Sequence, residues 1–196
     1  MSLLSEFLEI SREELLNSLD EIREEPYRRA AELIWRAEAR GNRLHVTGIG
    51  KPAHVASYMA SLLSSTGTPA YFLHGTEAVH GSCGQLVPGD VVICISNSGE
   101  TAEMKATAAA VRRNGAKIIA VTGSPDSWLA RFADAHLYAG VAREGGPLLA
   151  ETLALQALSV VLQEKRNITP EEYVLRHPGG SLGKLRDDEI QSHKVG

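Results

Sequence analysis

Hydroxyl and amide side chains follow directly after five apolar residues, 91–95, in this chain of 196 residues. The polar segment begins with Ser96, Asn97 and Ser98 and ends at Thr101. A buried strand has no packing reason to end in such residues. Their hydroxyls and the exposed backbone amides can donate several hydrogen bonds to one small oxyanion, and a phosphate monoester fits this arrangement. The alternative is that Ser98 only caps the helix that follows.

A second junction of this kind, TGIGKP at residues 47–52, lies earlier in the chain. Gly48 and Gly50 allow close approach to the backbone, and Pro52 suits the first position of a helix. Lys51 adds a positive charge beside them. The glycine spacing matches neither a complete dinucleotide-binding fingerprint nor a P-loop.

The spacing of apolar residues predicts five strands that alternate with helices. The predicted strands are 44–47, 70–73, 91–95, 117–122 and 136–141, and the predicted helices between and after them are 52–64, 102–113, 128–132, 148–164 and 170–176. An amphipathic helix that Pro26 interrupts, and a second helix that stops at Gly41, precede them. This alternation is typical of right-handed βαβ crossovers and a parallel sheet covered on both faces. Ligands of such sheets bind at the carboxyl ends of the strands, where both junctions lie.

The composition limits the classes of partner. The 20 Lys and Arg residues against 24 Asp and Glu residues give a net charge of −4, which argues against nucleic acid or an anionic membrane surface. No segment approaches the roughly 20 consecutive apolar residues of a membrane helix. The N-terminus lacks the pattern of a signal peptide, and two cysteines cannot build a disulfide framework. We therefore expect a cytoplasmic protein with no nucleic-acid and no membrane partner.

Four motifs together resemble the sugar isomerase (SIS) domain family, and within it the arabinose-5-phosphate isomerases. They are GIGKPAH (48–54), SSTGTPAYFLHGTEAVHG (64–81), PGDVVICISNSGET (88–101) and HPGGSLG (177–183). The resemblance implies a three-layer αβα sandwich around a five-stranded parallel sheet. It also implies interconversion of D-ribulose 5-phosphate and D-arabinose 5-phosphate through a cis-enediolate, which supplies Kdo synthesis for lipopolysaccharide or capsule. It further implies a tetramer whose sites use more than one subunit.

The resemblance implies four catalytic residues. The family's essential lysine matches Lys51, its two glutamates match Glu103 and Glu144, and its histidine matches His177. Isomerisation removes a proton beside the carbonyl and stabilises the resulting oxyanion. Either glutamate can be the base, with Glu103 preferred; His177 would assist ring opening or act as the partner acid, and Lys51 would offset negative charge. Ordinary surface roles are the alternative for each of them.

The resemblance also implies a substrate-binding set. Its members are Gly50, Ser96, Asn97, Ser98, Thr101 and His80, the last of which matches a histidine that binds zinc in some relatives. The spacing of His74, His80 and Cys83 fits no familiar zinc pattern. We therefore expect no metal and no cofactor.

Three departures from the family pattern bear on function. Pro52 and Ala53 replace a Ser-Gly pair, so one phosphate-side hydroxyl is missing. The segment after Glu144 is shorter than in the family and passes almost directly into a helix. The CBS modules of many relatives are not expected, nor is regulation through them. The alternatives are another phosphosugar isomerase, such as the 6-phospho-3-hexuloisomerase type, and a non-catalytic SIS regulator that binds sugar phosphates.

The N-terminal helices predict self-association. We expect residues 1–42 to form helices that pack on the domain and on an oligomer interface, and residues 43–196 to form the SIS domain. The apolar stripe of the first helix is more exposed than a lone domain should tolerate. Packing against a second copy would cover it, which favours a homo-oligomer, and a tetramer above other states.

Overall fold

The structure, a computed structural model, describes residues 2–140 and 147–179. Helices and strands alternate through most of the described chain. The helices are α1 (Leu3–Asp20), α2 (Glu24–Glu38), α3 (Lys51–Ser65), α4 (Gly75–Ala78), α5 (Ala102–Arg113), α6 (Trp128–Phe132), α7 (Pro147–Gln163) and α8 (Pro170–Leu175), with a 3₁₀ turn at Ser82–Gln85. The strands are β1 (Leu44–Gly48), β2 (Ala70–Phe72), β3 (Val91–Ile95), β4 (Lys117–Thr122) and β5 (Ala135–Tyr138).

The strands form one parallel sheet in the order β2-β1-β3-β4-β5. Residues 44–48 and 91–95 are buried throughout, as expected for central strands of a parallel sheet covered on both faces. One face packs against α2, α3 and α7, and the other against α4, α5 and α6. The three-layer αβα sandwich with a five-stranded parallel sheet is therefore confirmed.

The predicted element boundaries hold with small shifts. The strand predicted at 136–141 is β5, which ends at Tyr138, and residue 141 lies outside the described residues. The first helix does not end at Pro26 but at Asp20, and Pro26 lies in the first turn of α2. Proline is tolerated there because an N–H group in the first turn has no partner within the helix. Among the described helices, none is both long enough and apolar enough to cross a bilayer.

The two N-terminal helices differ in how they pack. α2 contributes Tyr27, Ala30, Ala31 and Ile34 to the core beneath the sheet. α1 buries no residue, and Leu3 on it is 87% exposed. Further apolar side chains stay exposed along α1: Leu4, Phe7, Leu8, Leu16 and Leu19. The core of the domain is therefore complete without α1.

A buried carboxylate, Asp90, ties together the amino ends of β1 and β3. Its Oδ1 accepts hydrogen bonds from the Arg43 backbone N–H (2.9 Å) and the Asn42 side chain (3.2 Å). Its Oδ2 accepts from the Val87 backbone N–H (3.0 Å) and lies 3.3 Å from His45 Nε2. Burial alone would raise the pKa of Asp90, but these hydrogen bonds outweigh it, and the net pKa lies below the usual range.

We expect Asp90→Asn to lower the free energy of unfolding by about 2 kcal/mol, because either amide orientation places an NH₂ group against a backbone donor. The lowered pKa means that the carboxylate stabilises the fold above its unfolded-state pKa. This contribution is lost as the pH falls through the lower folded-state pKa. Urea unfolding at pH 7 and pH 3 measures both effects. Asp126→Ala, at an exposed position, is the control and should be neutral; equal stability of Asp90→Asn at pH 7 would contradict the assignment.

Candidate active site

The candidate site lies where the chain leaves β1 and β3. These two strands are neighbours in the sheet, and β2 and β4 continue it on opposite sides of them. Loops that leave two such strands diverge, which opens a crevice at the carboxyl edge of the sheet. The loop after β1 carries Gly50 and Lys51, and the loop after β3 carries the segment 96–101. The fold therefore brings together the two junctions that the sequence singled out.

The 96–101 segment is a turn in which two serine hydroxyls accept backbone hydrogen bonds. Gly99 N–H donates to Ser96 Oγ (3.2 Å), and Glu100 N–H donates to Ser98 Oγ (3.2 Å). Ser96 Oγ also lies 3.4 Å from Thr101 Oγ1. A hydroxyl that accepts still has its own proton to donate. Ser98 thus supports the turn itself and does not cap α5, whose N-cap residue is Thr101 and carries no side-chain capping bond.

The turn is held from outside by the start of α6. Gly99 C=O accepts from Leu129 N–H (3.1 Å), and Glu100 Oε1 accepts from Trp128 N–H (2.6 Å). Glu100 Oε2 also pairs with Lys105 Nζ at 2.5 Å. The hydrogen bond from Lys105, and then that from Trp128, lower the pKa of Glu100. The negative charge of Glu100 is therefore paired with Lys105 on α5 and with the Trp128 N–H group of α6.

Asn97 lies beside the end of β4. Gly123 N–H donates to Asn97 C=O (2.8 Å), and a Cβ atom at position 123 would come within 2.6 Å of Asn97 Oδ1. The side chains of Asn97 and Ser98 are exposed, whereas Ser96 is buried. The turn is therefore buried where it leaves β3, at Ser96, and exposed to solvent at Asn97 and Ser98.

Lys51 is the first residue of α3. Gly50, the N-cap, has a positive φ of 66°, and a Cβ atom at Gly48 would lie 2.5 Å from the Pro52 carbonyl carbon. Glycine at position 48 is thus required for the helix to begin this close to the strand. The Lys51 side chain is exposed and has no ion-pair partner among the residues that the structure describes.

Glu103 lies in the first turn of α5 and is exposed. Four residues later, Thr107 is buried and donates to Gly75 C=O (2.8 Å), so this side of α5 packs against the start of α4. A Cβ atom at Gly75 would in turn lie 2.8 Å from Gly48 C=O. Glu103 therefore lies on the side of α5 that faces the loop after β1.

His74 and His80 flank α4 and are exposed. His74 Nδ1 accepts from Glu77 N–H (3.3 Å), so it caps α4. Across residues 2–140 and 147–179, no three His, Cys, Asp or Glu side chains are grouped as a metal site. His80 lies on the segment that follows α4, and its substrate-binding role stays a prediction.

His177 does not join this crevice within one chain. Its Nδ1 lies 2.8 Å from Tyr173 C=O, and the ring borders a groove with Ser61 and Ser65 of α3. Ser61 lies ten residues beyond Lys51 on α3, about 15 Å along the helix axis. The structure thus brings Lys51, Glu103 and the 96–101 turn together and leaves His177 towards the other end of α3. Glu144 lies outside the described residues.

Comparison with known proteins assigns the family. The SIS domain matches residues 39–163. The chain belongs to the SIS domain family. It is 44% identical over 156 residues to arabinose 5-phosphate isomerase KdsD of Escherichia coli K12, an alignment that covers 74% of this chain and 48% of KdsD. The chain thus spans about half the length of the curated relatives it matches.

Two of the solved structures similar to this chain are each matched over their whole length. One is a Bacteroides fragilis NCTC 9343 protein assigned as a phosphosugar isomerase involved in capsule formation, with TM-score 0.81, 34% identity and coverage of 92% of this chain and 100% of that one. The other is an E. coli CFT073 protein in complex with arabinose 5-phosphate, with TM-score 0.76, 31% identity and coverage of 91% and 100%. Both support the SIS fold seen here.

The role of Glu100 was not predicted from the sequence. Its two partners are Lys105, five residues along the chain, and the backbone of Trp128, 28 residues away. Only the pair with Lys105 could be predicted from the spacing in the sequence, because the contact with Trp128 of α6 depends on the tertiary fold.

Gly99→Ala should destabilise the protein by about 2 kcal/mol. Gly99 has a φ of 63°, and a Cβ atom there would lie 2.5 Å from Ser127 Cβ. Gly84→Ala is the matched control, because position 84 has open space around it and no positive φ. Thermal unfolding of both variants measures the difference. If the two variants unfold alike, the turn is not held as tightly as the contacts with α6 indicate.

Proposed function

We propose that this chain is an aldose–ketose isomerase that interconverts D-ribulose 5-phosphate and D-arabinose 5-phosphate. The observation that carries the proposal is the 96–101 turn, whose hydroxyls accept from the backbone and keep protons to donate, in the crevice that also holds Lys51. A phosphate monoester is the ligand that such donors suit. The identity to KdsD and the likeness to a protein solved with arabinose 5-phosphate support a five-carbon sugar phosphate.

The proposed chemistry assigns one role to each residue. Ser96, Ser98 and Thr101 bind the phosphate, which places the carbonyl end of the open-chain sugar deeper in the crevice. Glu103 removes the proton from the carbon beside the carbonyl and returns it to the adjacent carbon. Lys51 offsets the negative charge of the phosphate or the enediolate. Glu144 remains the second possible base.

Asn97, Gly50 and His80 complete the proposed binding set. Asn97 and His80 are exposed, and the backbone of Gly50 lies at the start of α3. The reaction moves protons between groups that already carry them, so it needs neither a metal nor a redox cofactor. We further propose that the product supplies Kdo synthesis in the cytoplasm, and the capsule-related structural relative favours a capsule pathway.

The direct test incubates purified protein with ribulose 5-phosphate, without added metal, and separates the products by ion-exchange chromatography. Arabinose 5-phosphate should form, and 3-hexulose 6-phosphate, tested in parallel, should not react. Turnover of the hexulose phosphate alone would favour the other isomerase type. Binding of arabinose 5-phosphate without any turnover would favour a non-catalytic regulator.

Lys51→Met should lower kcat about a thousandfold, because it removes the proposed charge partner of the enediolate. Binding of arabinose 5-phosphate, followed by calorimetry, should remain measurable through the 96–101 turn. Lys117→Met is the control: Lys117 begins β4 at the amino edge of the sheet, where its only ion pair, among the described residues, is with Asp134. Full turnover by Lys51→Met would refute the role of Lys51.

We also propose that the complete site uses two subunits of a homo-oligomer, in which His177 of one copy acts in the crevice of another. Its separation from Lys51 within one chain supports this arrangement, as do the exposed apolar side chains of α1. In this view residues 1–42 serve the interface as well as the domain 43–196. A tetramer is the expected assembly.

Mixing two inactive variants tests the shared site. Lys51→Met and His177→Asn should each be nearly inactive, whereas hetero-oligomers formed by refolding them together should regain up to about a quarter of the wild-type activity, because some sites combine two intact halves. Light scattering on the unmixed protein gives the number of copies. Inactive mixtures, together with a monomeric wild-type protein, would contradict the proposal.

A further inference from the structure

One carboxyl in this fold is buried without any visible structural reason. Glu151 is the one charged residue in α7, whose sequence is PLLAETLALQALSVVLQ. It is 0% exposed, and neither of its carboxyl oxygens has a hydrogen-bond partner within residues 2–140 and 147–179. Asp90, in contrast, is a buried carboxylate with a structural role, and both of its oxygens have hydrogen-bond partners. Burial of an unpartnered carboxyl costs stability, which leucine or glutamine at this position would avoid or reduce.

Glu151 belongs to the side of α7 that faces the sheet. Leu155, Leu158 and Leu162 follow it at spacings of four, three and four residues, and all three are fully buried. They share one core cluster with residues of β3 and β4, namely Ile93, Ile95, Ile119 and Val121. A side chain at position 151 therefore continues this buried stripe, on a helix that packs against α2, α3 and β4.

The direction of α7 places Glu151 at the carboxyl edge of the sheet. α7 follows β5 in a parallel sheet, and near its C-terminal end Ser159 Oγ lies 3.1 Å from Thr66 Oγ1, just after α3 ends. α3 runs from the carboxyl edge of β1 to the opposite edge, so α7 runs the same way. Glu151 is consequently the member of the stripe that lies nearest to the carboxyl edge of the sheet, the edge at which the 96–101 turn also lies.

The environment favours the protonated form of Glu151. Burial raises its pKa to about 7, whereas an ordinary glutamate is ionised at that pH. Titratable groups on the described elements around α7 form no hydrogen bond with it; these are Glu14 on α1, Glu21 just after α1, Tyr27 on α2, Lys51 and His54 on α3, and His136 and Tyr138 on β5. A carboxyl that is partly protonated near neutral pH can both give and take a proton.

We propose that Glu151 is a proton-transfer carboxyl of the isomerase site, and that it acts from the floor of the crevice. This inference rests on the proposed function. As the base removes the proton from the carbon of ribulose 5-phosphate, an enediolate forms, and the acid form of Glu151 then gives its proton to the enediolate oxygen. The carboxylate then takes the proton of the neighbouring hydroxyl as the base returns its own to carbon. The aldose results, and both groups regain their starting forms.

Glu151→Gln tests this role because glutamine keeps the shape of the side chain and cannot transfer a proton. We expect kcat to fall about a hundredfold with KM changed less than about threefold. In the wild type, kcat should decline as the pH rises above about 7, where the acid form is lost, and this decline should be absent in Glu151→Gln. Glu151→Asp, which retains the acid, should recover part of kcat. Ser159→Ala, another buried position on α7, is the matched control and should keep kcat and its pH profile.

A purely structural carboxyl would give a different result. Because the pKa of Glu151 is raised on folding, its contribution to stability is present at low pH and is lost as the pH rises towards 7. Glu151→Gln should remove this pH-dependent loss of stability whether the carboxyl is structural or transfers protons. The same unfolding curves show whether the variant is folded. Normal kcat and an unchanged pH–rate profile in folded Glu151→Gln would overturn the role of Glu151 alone. A wild-type protein that does not isomerise the substrate would overturn the proposed function as well.

Discussion

The side-by-side placement of β1 and β3 is the constraint on which the candidate site depends. Both strands are buried on both faces, so neither can carry chemistry along its length. At the carboxyl ends of both strands, backbone N–H groups and polar side chains become available to a ligand. The glycines after β1 let α3 begin tightly against the strand, and the serines after β3 make a turn that supports itself. The crevice follows from the strand order before any particular ligand is considered.

Three carboxyl groups of this fold differ in burial, in hydrogen-bond partners and in the direction of their pKa shifts. Asp90 is buried with partners on both oxygens and joins strand ends at the amino edge. Glu100 is exposed and holds the 96–101 turn to α6. Glu151 is buried at the opposite edge from Asp90, without a partner in the part of the chain that the structure describes. Burial raises the pKa of Glu151, while hydrogen bonds lower that of the other two. The carboxyl least explained by packing is therefore the one to which we assign a role in proton transfer.

Local patterns were enough to predict the sheet and the crevice. Strands such as β3 are short apolar runs bounded by polar turns, and α5 and α6 were predicted at their observed limits. The 96–101 turn could be identified because its hydroxyls follow a buried strand. The boundary at Pro26 was wrong, because proline also fits the first turn of a helix. The place of His177 could not be predicted from spacing, since it depends on how α8 returns to α3. Glu151 did leave a signal, a single charge in an otherwise uncharged helix.

The packing of α1 separates the stability of the fold from the surface available for assembly, and these two properties are often linked in small proteins. This helix contains no buried residue, whereas α2, only a few residues later, contributes a buried aromatic ring and buried alanines. Substitutions along α1 therefore leave the folding energy of the sheet nearly untouched. They change mainly the surface that the molecule presents to its neighbours, so assembly can diverge between related chains while the sheet and the crevice stay constant.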